Sequence, residues 1–118
     1  MNKYKPEGTL ITNAKNYELT KSYEGLKYAM ERQLILESTV TMCDHQFNLF
    51  VDLGQGIKGI VPRDEVVYSS SEPVKDIAIL TRVGKTISFK VIGFSSDGNE
   101  KKIAILSRRA AQKECVEN

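Results

Sequence analysis

Phe47-Asn48-Leu49-Phe50-Val51-Asp52-Leu53-Gly54, followed three residues later by Lys58-Gly59-Ile60-Val61-Pro62-Arg63-Asp64-Glu65, is the stretch on which the fold of this chain turns. In an extended strand, successive side chains point to opposite faces. Leu49, Val51 and Leu53 therefore share one face, and Asn48, Phe50 and Asp52 share the other. The first set is apolar throughout and suits a core, whereas the second leaves one aromatic ring, Phe50, among polar neighbours. Gly54-Gln55-Gly56 reads as a tight turn, which makes the two runs neighbouring strands. The letters from Gly54 to Gly59 also spell G-x-G-x-x-G. That pattern binds dinucleotides only where it leads from a strand into a helix, and here it joins two strands.

Outward from this pair, alternating β-branched and aromatic residues predict five strands over 34–42, 47–53, 58–61, 86–94 and 101–107. Ile87, Phe89, Val91, Ile103 and Ile105 are expected in the core. Asp97-Gly98, within residues 95–99, suits a hairpin between the last two strands. The link over 63–83 is long and partly helical, with Ser69-Ser70-Ser71-Glu72-Pro73 at its middle. It suits a barrel closure between the third and fourth strands better than a meander does. The expectation is a mainly β chain whose body is a five-stranded oligonucleotide-binding (OB) barrel.

Two flanking segments carry helical patterns. Tyr17, Leu19, Tyr23, Leu26, Ala29 and Met30 are spaced for an amphipathic helix. We place it near 20–32, with Thr20 or Ser22 as N-cap and Glu24 completing a capping box. Residues 1–16 are polar, are punctuated by Pro6 and Gly8, and read as an arm. Residues 108–118 are rich in helix formers but have no glycine or proline stop, which suggests a module of a longer chain. The divisions expected are an arm and helix over 1–32, the barrel over 33–111 and a tail over 112–118.

Composition narrows function mainly by exclusion. A chain of 118 residues makes one ordinary domain. No apolar run approaches the roughly 20 residues that cross a bilayer, and residues 1–7 lack the apolar centre of a signal peptide. No membrane partner and a cytoplasmic setting are therefore expected. Cys43 and Cys115 lie far apart, and His45 is the only histidine. Neither a zinc site nor a catalytic triad finds its residues, so no cofactor, no metal and no enzyme activity are expected. The net charge of +2 identifies no partner by itself.

Four motifs in this order, Phe47 to Gly54, Lys58 to Glu65, Val83-Gly84-Lys85 and Leu106-Ser107-Arg108, resemble the S1 domain, an RNA-binding OB fold. The resemblance covers about residues 33–111, and Ser22-Tyr23-Glu24-Gly25-Leu26 is similar to the short helix that often precedes such domains. It implies binding of single-stranded RNA in translation, as in ribosomal protein S1, or in RNA turnover. The chain is expected to be a monomer or part of a multi-module protein.

Phe50 is then either a platform on which an unpaired base stacks or a ring covered by the long 63–83 link. Phe47 shares the parity of the core residues. It lies either in the core or, with a bulge near Phe47-Asn48, on the outer face, where the resemblance places an aromatic followed by a glycine. Here Asn48 stands in that glycine's position, and Pro62 stands where many members carry an RNA-facing histidine. His45 lies just before the second strand, either solvated or contributing to stacking. Lys58, Arg63, Lys101, Lys102 and Arg108 are the cations expected near phosphates. The competing reading is a protein-interaction module docking on a ribosome or an RNA-processing complex.

Overall fold

Period-two alternation forms five strands that close on themselves. The computed structural model describes residues 14–53, 57–66, 79–96 and 102–117. The glycine turn at 54–56, the hairpin tip at 97–101, the middle of the long link at 67–78 and the arm at 1–13 lie outside the described residues. The strands are β1 (Leu36–Cys43), β2 (Leu49–Asp52), β3 (Ile57–Val61), β4 (Thr86–Ser96) and β5 (Lys102–Ser107). They form a closed barrel in the order β1-β2-β3-β5-β4, with β4 returning to β1. Among the described strands only β3 and β5 run parallel, and the chain passes from β3 to β4, which lies beyond β5 in the barrel order. A short 3-10 helix, η1 (Arg63–Glu65), begins the link.

Closure depends on β1 changing partner along its length. Leu36 to Thr39 pair with β4, whereas Val40 to Cys43 pair with β2. At the changeover, Val40 exchanges backbone hydrogen bonds with Gly84 and Lys85. The register slips between Val40 and Met42, leaving Thr41 as the extra residue, and a second slip lies between Val91 and Gly93 at Ile92. Such irregularities bend and twist a strand, which lets one strand serve two sides of a small barrel.

Leu49, Val51 and Leu53 are buried, as are Ile87, Phe89 and Val91, matching the alternation. On β5 the parity is reversed. Ala104 and Leu106 are buried, while Ile103 and Ile105, expected in the core, are only half-buried. Residues 103–106 are continuously apolar, so no alternation marks their inward face. Pairing decides it: Ala104 lies opposite Gly59, and Ile105 opposite Ile60. Two small residues thus meet inside the barrel, and the space is filled from β2. A Cβ on Gly59 would stand 2.5 Å from Val51 Cγ2 and 2.8 Å from Leu53 Cδ1.

The N-terminal segment holds two helices rather than the single one expected. They are α1 (Ala14–Thr20) and α2 (Tyr23–Glu31). Ser22 is the cap that separates them, its hydroxyl accepting from the Gly25 amide at 3.0 Å. Glu24 falls one position short of the place where a capping box needs its carboxylate, and Gly25 occupies that place. Gly25 is required there because a Cβ would meet the Leu19 carbonyl oxygen at 2.6 Å and its Cα at 2.8 Å. Asn16, read from sequence as part of a polar arm, lies in α1 and is buried. Its Nδ2 donates to the Glu37 carbonyl at 3.0 Å, and its Oδ1 accepts from the Glu37 amide at 2.7 Å. One side chain thereby pairs with β1 where β2 does not reach. Tyr23 meets Phe94 of β4 edge-on, with centroids 4.9 Å apart.

After β5 the chain enters α3 (Arg108–Glu117) directly. Ser107 caps it, accepting from the Ala110 amide at 2.8 Å while donating to Glu65 Oε1 at 2.6 Å. Lys90 of β4 pairs with Glu114 of α3 at 2.6 Å. Because α3 runs through residue 111, the division placed between 111 and 112 falls inside a helix. No helix among the described residues is long and apolar enough to cross a membrane.

Candidate nucleic-acid interface

Phe50 lies on the outer face of β2, half-buried, between Met42 of β1 and Ile60 of β3. Ile60 in turn lies opposite Ile105 of β5. Met42, Phe50, Ile60 and Ile105 thus form a continuous apolar row across four strands' worth of barrel exterior, ending at Met42, which is 51% exposed. Sequence reading found only Phe50 in this row. Met42 was hidden by the slip at Thr41, and Ile105 by the missing alternation on β5. Lys58, exposed on β3, sets its Nζ 5.7 Å from the centre of the Phe50 ring. A cation is thereby held beside an outward aromatic face, a geometry in which ring and charge attract.

Phe47 precedes β2 instead of belonging to it. Its φ is +66°, so the alternation that assigned it to the core face does not apply. The ring is half-buried, packs partly against the core, and has the Arg63 guanidinium carbon 5.1 Å from its centre. The irregularity needed to take Phe47 out of strand parity is therefore a left-handed residue in the β1–β2 turn.

Asp44 builds that turn. Its backbone amide donates to the Asn48 carbonyl, and its own carbonyl accepts from the Phe47 amide, both at 3.0 Å. One carboxylate oxygen accepts the amides of Gln46 and Asn48 at 2.9 Å each; the other accepts Asn48 Nδ2 at 3.2 Å. Asn48 Oδ1 accepts the Arg63 amide at 3.0 Å, which ties the turn to the start of η1. Asn48 thus acts between turn and helix, with both ends of its amide engaged. His45 is exposed at the tip of the turn. Asp44 was not singled out from sequence, although an Asp followed by a four-residue connection into a strand is a common turn pattern.

The Asn48 amide, more than any other group, holds the Asp44 carboxyl below the usual carboxylate range, helped by the Asn48 side chain, the Gln46 amide and the nearby His45, and opposed by partial burial. A depressed folded-state value means that the turn's stabilisation is complete above the unfolded carboxylate range and is lost as pH falls through the lowered value. The amide resonances of Gln46 and Asn48 are therefore expected to hold steady down to the ordinary carboxylate range and to move together only in stronger acid. Movement within the ordinary range would show that the carboxylate does not accept these bonds. Burial, and then the Asp44 charge, raise the Cys43 thiol above its usual value.

The remaining cations divide. Arg108 is not on the outer surface: it is 3% exposed, and its Nη1 donates to the Val66 carbonyl at 3.0 Å. With Ser107 it fastens the end of the barrel to the segment after η1. Its position just after an alternating strand gave no hint of this, because the carbonyl it meets comes from the distant link. Lys101 lies outside the described residues, and of Lys102 only the backbone is described, in β5 opposite Ile57 and Ser96. Phe50 with Lys58, and Phe47 with Asn48 and Arg63, are thus the two groups that the fold assembles around β2 and β3.

A model of the S1 RNA binding domain matches residues 32–109, well over half of the chain. Among solved structures, the solution structure of GSP13 from Bacillus subtilis is similar, at 31% identity and a TM-score of 0.52, over 66% of this chain and 55% of that one. The chain thus spans about half the length of that protein. A search of the curated proteins found no match. With the order of its barrel strands and the family match in agreement, this chain belongs to the S1 RNA-binding domain family.

Proposed function

We propose that the chain binds single-stranded RNA across the outer faces of β2, β3 and β5, in translation or RNA turnover. Unpaired bases stack on Phe50 and along the apolar row beside it, and phosphates are held by Lys58 and Arg63. The observation that carries this reading is Phe50, half-exposed between Met42 and Ile60 with the Lys58 ammonium 5.7 Å from its ring. Every base has a π-face, so such a platform tolerates many sequences. A flexible lysine supplies phosphate attraction without reading the base. Holding RNA this way breaks no bond and calls for no cofactor.

Fluorescence anisotropy with a short unstructured RNA, repeated across salt concentrations, tests the electrostatic half. The logarithm of the association constant is expected to fall linearly with the logarithm of salt, and Lys58→Gln to flatten that slope by about 0.7, the contribution of one phosphate contact on a single strand. An unchanged slope would place the phosphates elsewhere.

A further inference from the structure

A phenylalanine at φ +66° is unusual, since a bulky side chain in the left-handed region clashes with its own backbone, and such residues persist only where their surroundings hold them. Phe47 is held on two sides. Asp44 closes the turn beneath it through the backbone bonds and through a carboxylate that accepts from Gln46 and twice from Asn48. Asn48 then fixes the backbone of Arg63, whose guanidinium lies over the Phe47 ring. A turn needed only to connect β1 to β2 requires neither a strained aromatic nor a side-chain tie to η1.

We infer that Asp44 and Asn48 are positioning residues that hold the Phe47 ring and the Arg63 guanidinium as a preformed clamp for one base of single-stranded RNA and its adjoining phosphate. The inference rests on the RNA-binding face proposed above, where the resemblance already places an aromatic at Phe47, and what it adds is the role of Asp44 and Asn48 in setting that ring against Arg63. Aromatic rings and arginine planes both stack on unpaired bases, and the guanidinium also presents a fork of donors to phosphate. Rigid placement matters because ordering a loop during binding subtracts from affinity. Neither Asp44 nor Asn48 needs to touch RNA; they act through the pair they orient.

The test is a mutant cycle read by RNA affinity, with folding checked by circular dichroism. Phe47→Ala is expected to weaken binding about tenfold, as loss of one stacked base would. Asp44→Ala should weaken it to a similar degree, and the double variant no further than the weaker single one. Asp44→Asn keeps one oxygen to accept the Gln46 and Asn48 amides but turns an NH2 toward Asn48 Nδ2, so it should bind between the wild type and Asp44→Ala. If Asp44→Ala does not fold, Asn48→Gly, which removes the tie to Arg63, takes its place in the cycle. Losses that multiply in the double variant would overturn the inference, as would an Asp44→Asn variant as weak as Asp44→Ala. Wild-type binding by Phe47→Ala alongside a loss in Phe50→Ala removes the clamp and leaves the RNA face standing. Wild-type binding by both removes the RNA face itself.

Discussion

Phe50→Ala is expected to weaken binding of a short unstructured RNA by roughly five- to 150-fold, the equivalent of about 1–3 kcal/mol for one stacked base. The barrel should stay folded, because the Phe50 ring lies on the outer face while Leu49 and Val51 beside it fill the interior. Phe50→Leu separates two contributions. It keeps apolar contact with Met42 and Ile60 but removes the π-face and the attraction to the Lys58 ammonium. An affinity between those of the wild type and Phe50→Ala is therefore expected. If Phe50→Ala binds as tightly as the wild type while its circular dichroism is unchanged, stacking at this position is not how the chain holds RNA.

Asn16→Ala should be among the most destabilising single changes to a polar residue in this chain. It removes two hydrogen bonds, one from the Glu37 amide and one to the Glu37 carbonyl, in a buried stretch of β1. Losing a pair of buried hydrogen bonds costs about 1–3 kcal/mol. At the scale of a domain near 100 residues this corresponds to a fall in Tm on the order of 10 °C. The same change uncovers the edge of β1, so aggregation on heating should increase as well. Asn16→Asp is a sharper probe, since it can still accept from the Glu37 amide but sets a buried carboxylate oxygen against the Glu37 carbonyl, and at neutral pH it should lower Tm at least as far as Asn16→Ala. A Tm for Asn16→Ala equal to that of the wild type would mean that α1 does not dock on β1 through this pair. RNA affinity measured well below the transition should be little affected, because Asn16 acts at Glu37, near the end of β1 remote from Met42.

The two variants act on parts of the molecule that differ in how openly the sequence shows them. The five strands, the two-residue period of β2 and the parity that turns Phe50 away from Leu49 and Val51 follow from local chemistry: alternation, turn residues, and a link too long for a meander. These features depend on neighbours in the chain, which is why a linear reading finds them. The S1 motifs in their order pointed to the same barrel. Ser22 as a cap was equally readable, since its effect reaches only three residues onward.

Elsewhere the deciding contact came from far along the chain. Arg108 looked like a surface cation until the Val66 carbonyl, 42 residues away, drew it inward. Ile103 and Ile105 looked like core residues until Gly59 and Ile60 set the facing side of β5. Asn16 looked like part of a polar arm until the open edge of β1 gave its amide two partners. Phe47 looked like either a core residue or an outward ring, and a left-handed backbone held by Asp44 and Asn48 took it out of that alternation altogether. The sequence by itself thus determined the five-stranded barrel and the parity that sets Phe50 opposite Leu49 and Val51, because those rest on periodicity, local turn chemistry and the S1 motifs in their order. Only the tertiary structure decided which cations reach the β2–β3 face, which isoleucines extend it, and how Phe47 meets Arg63, because each of these depends on hydrogen bonds or pairings between segments that periodicity cannot relate.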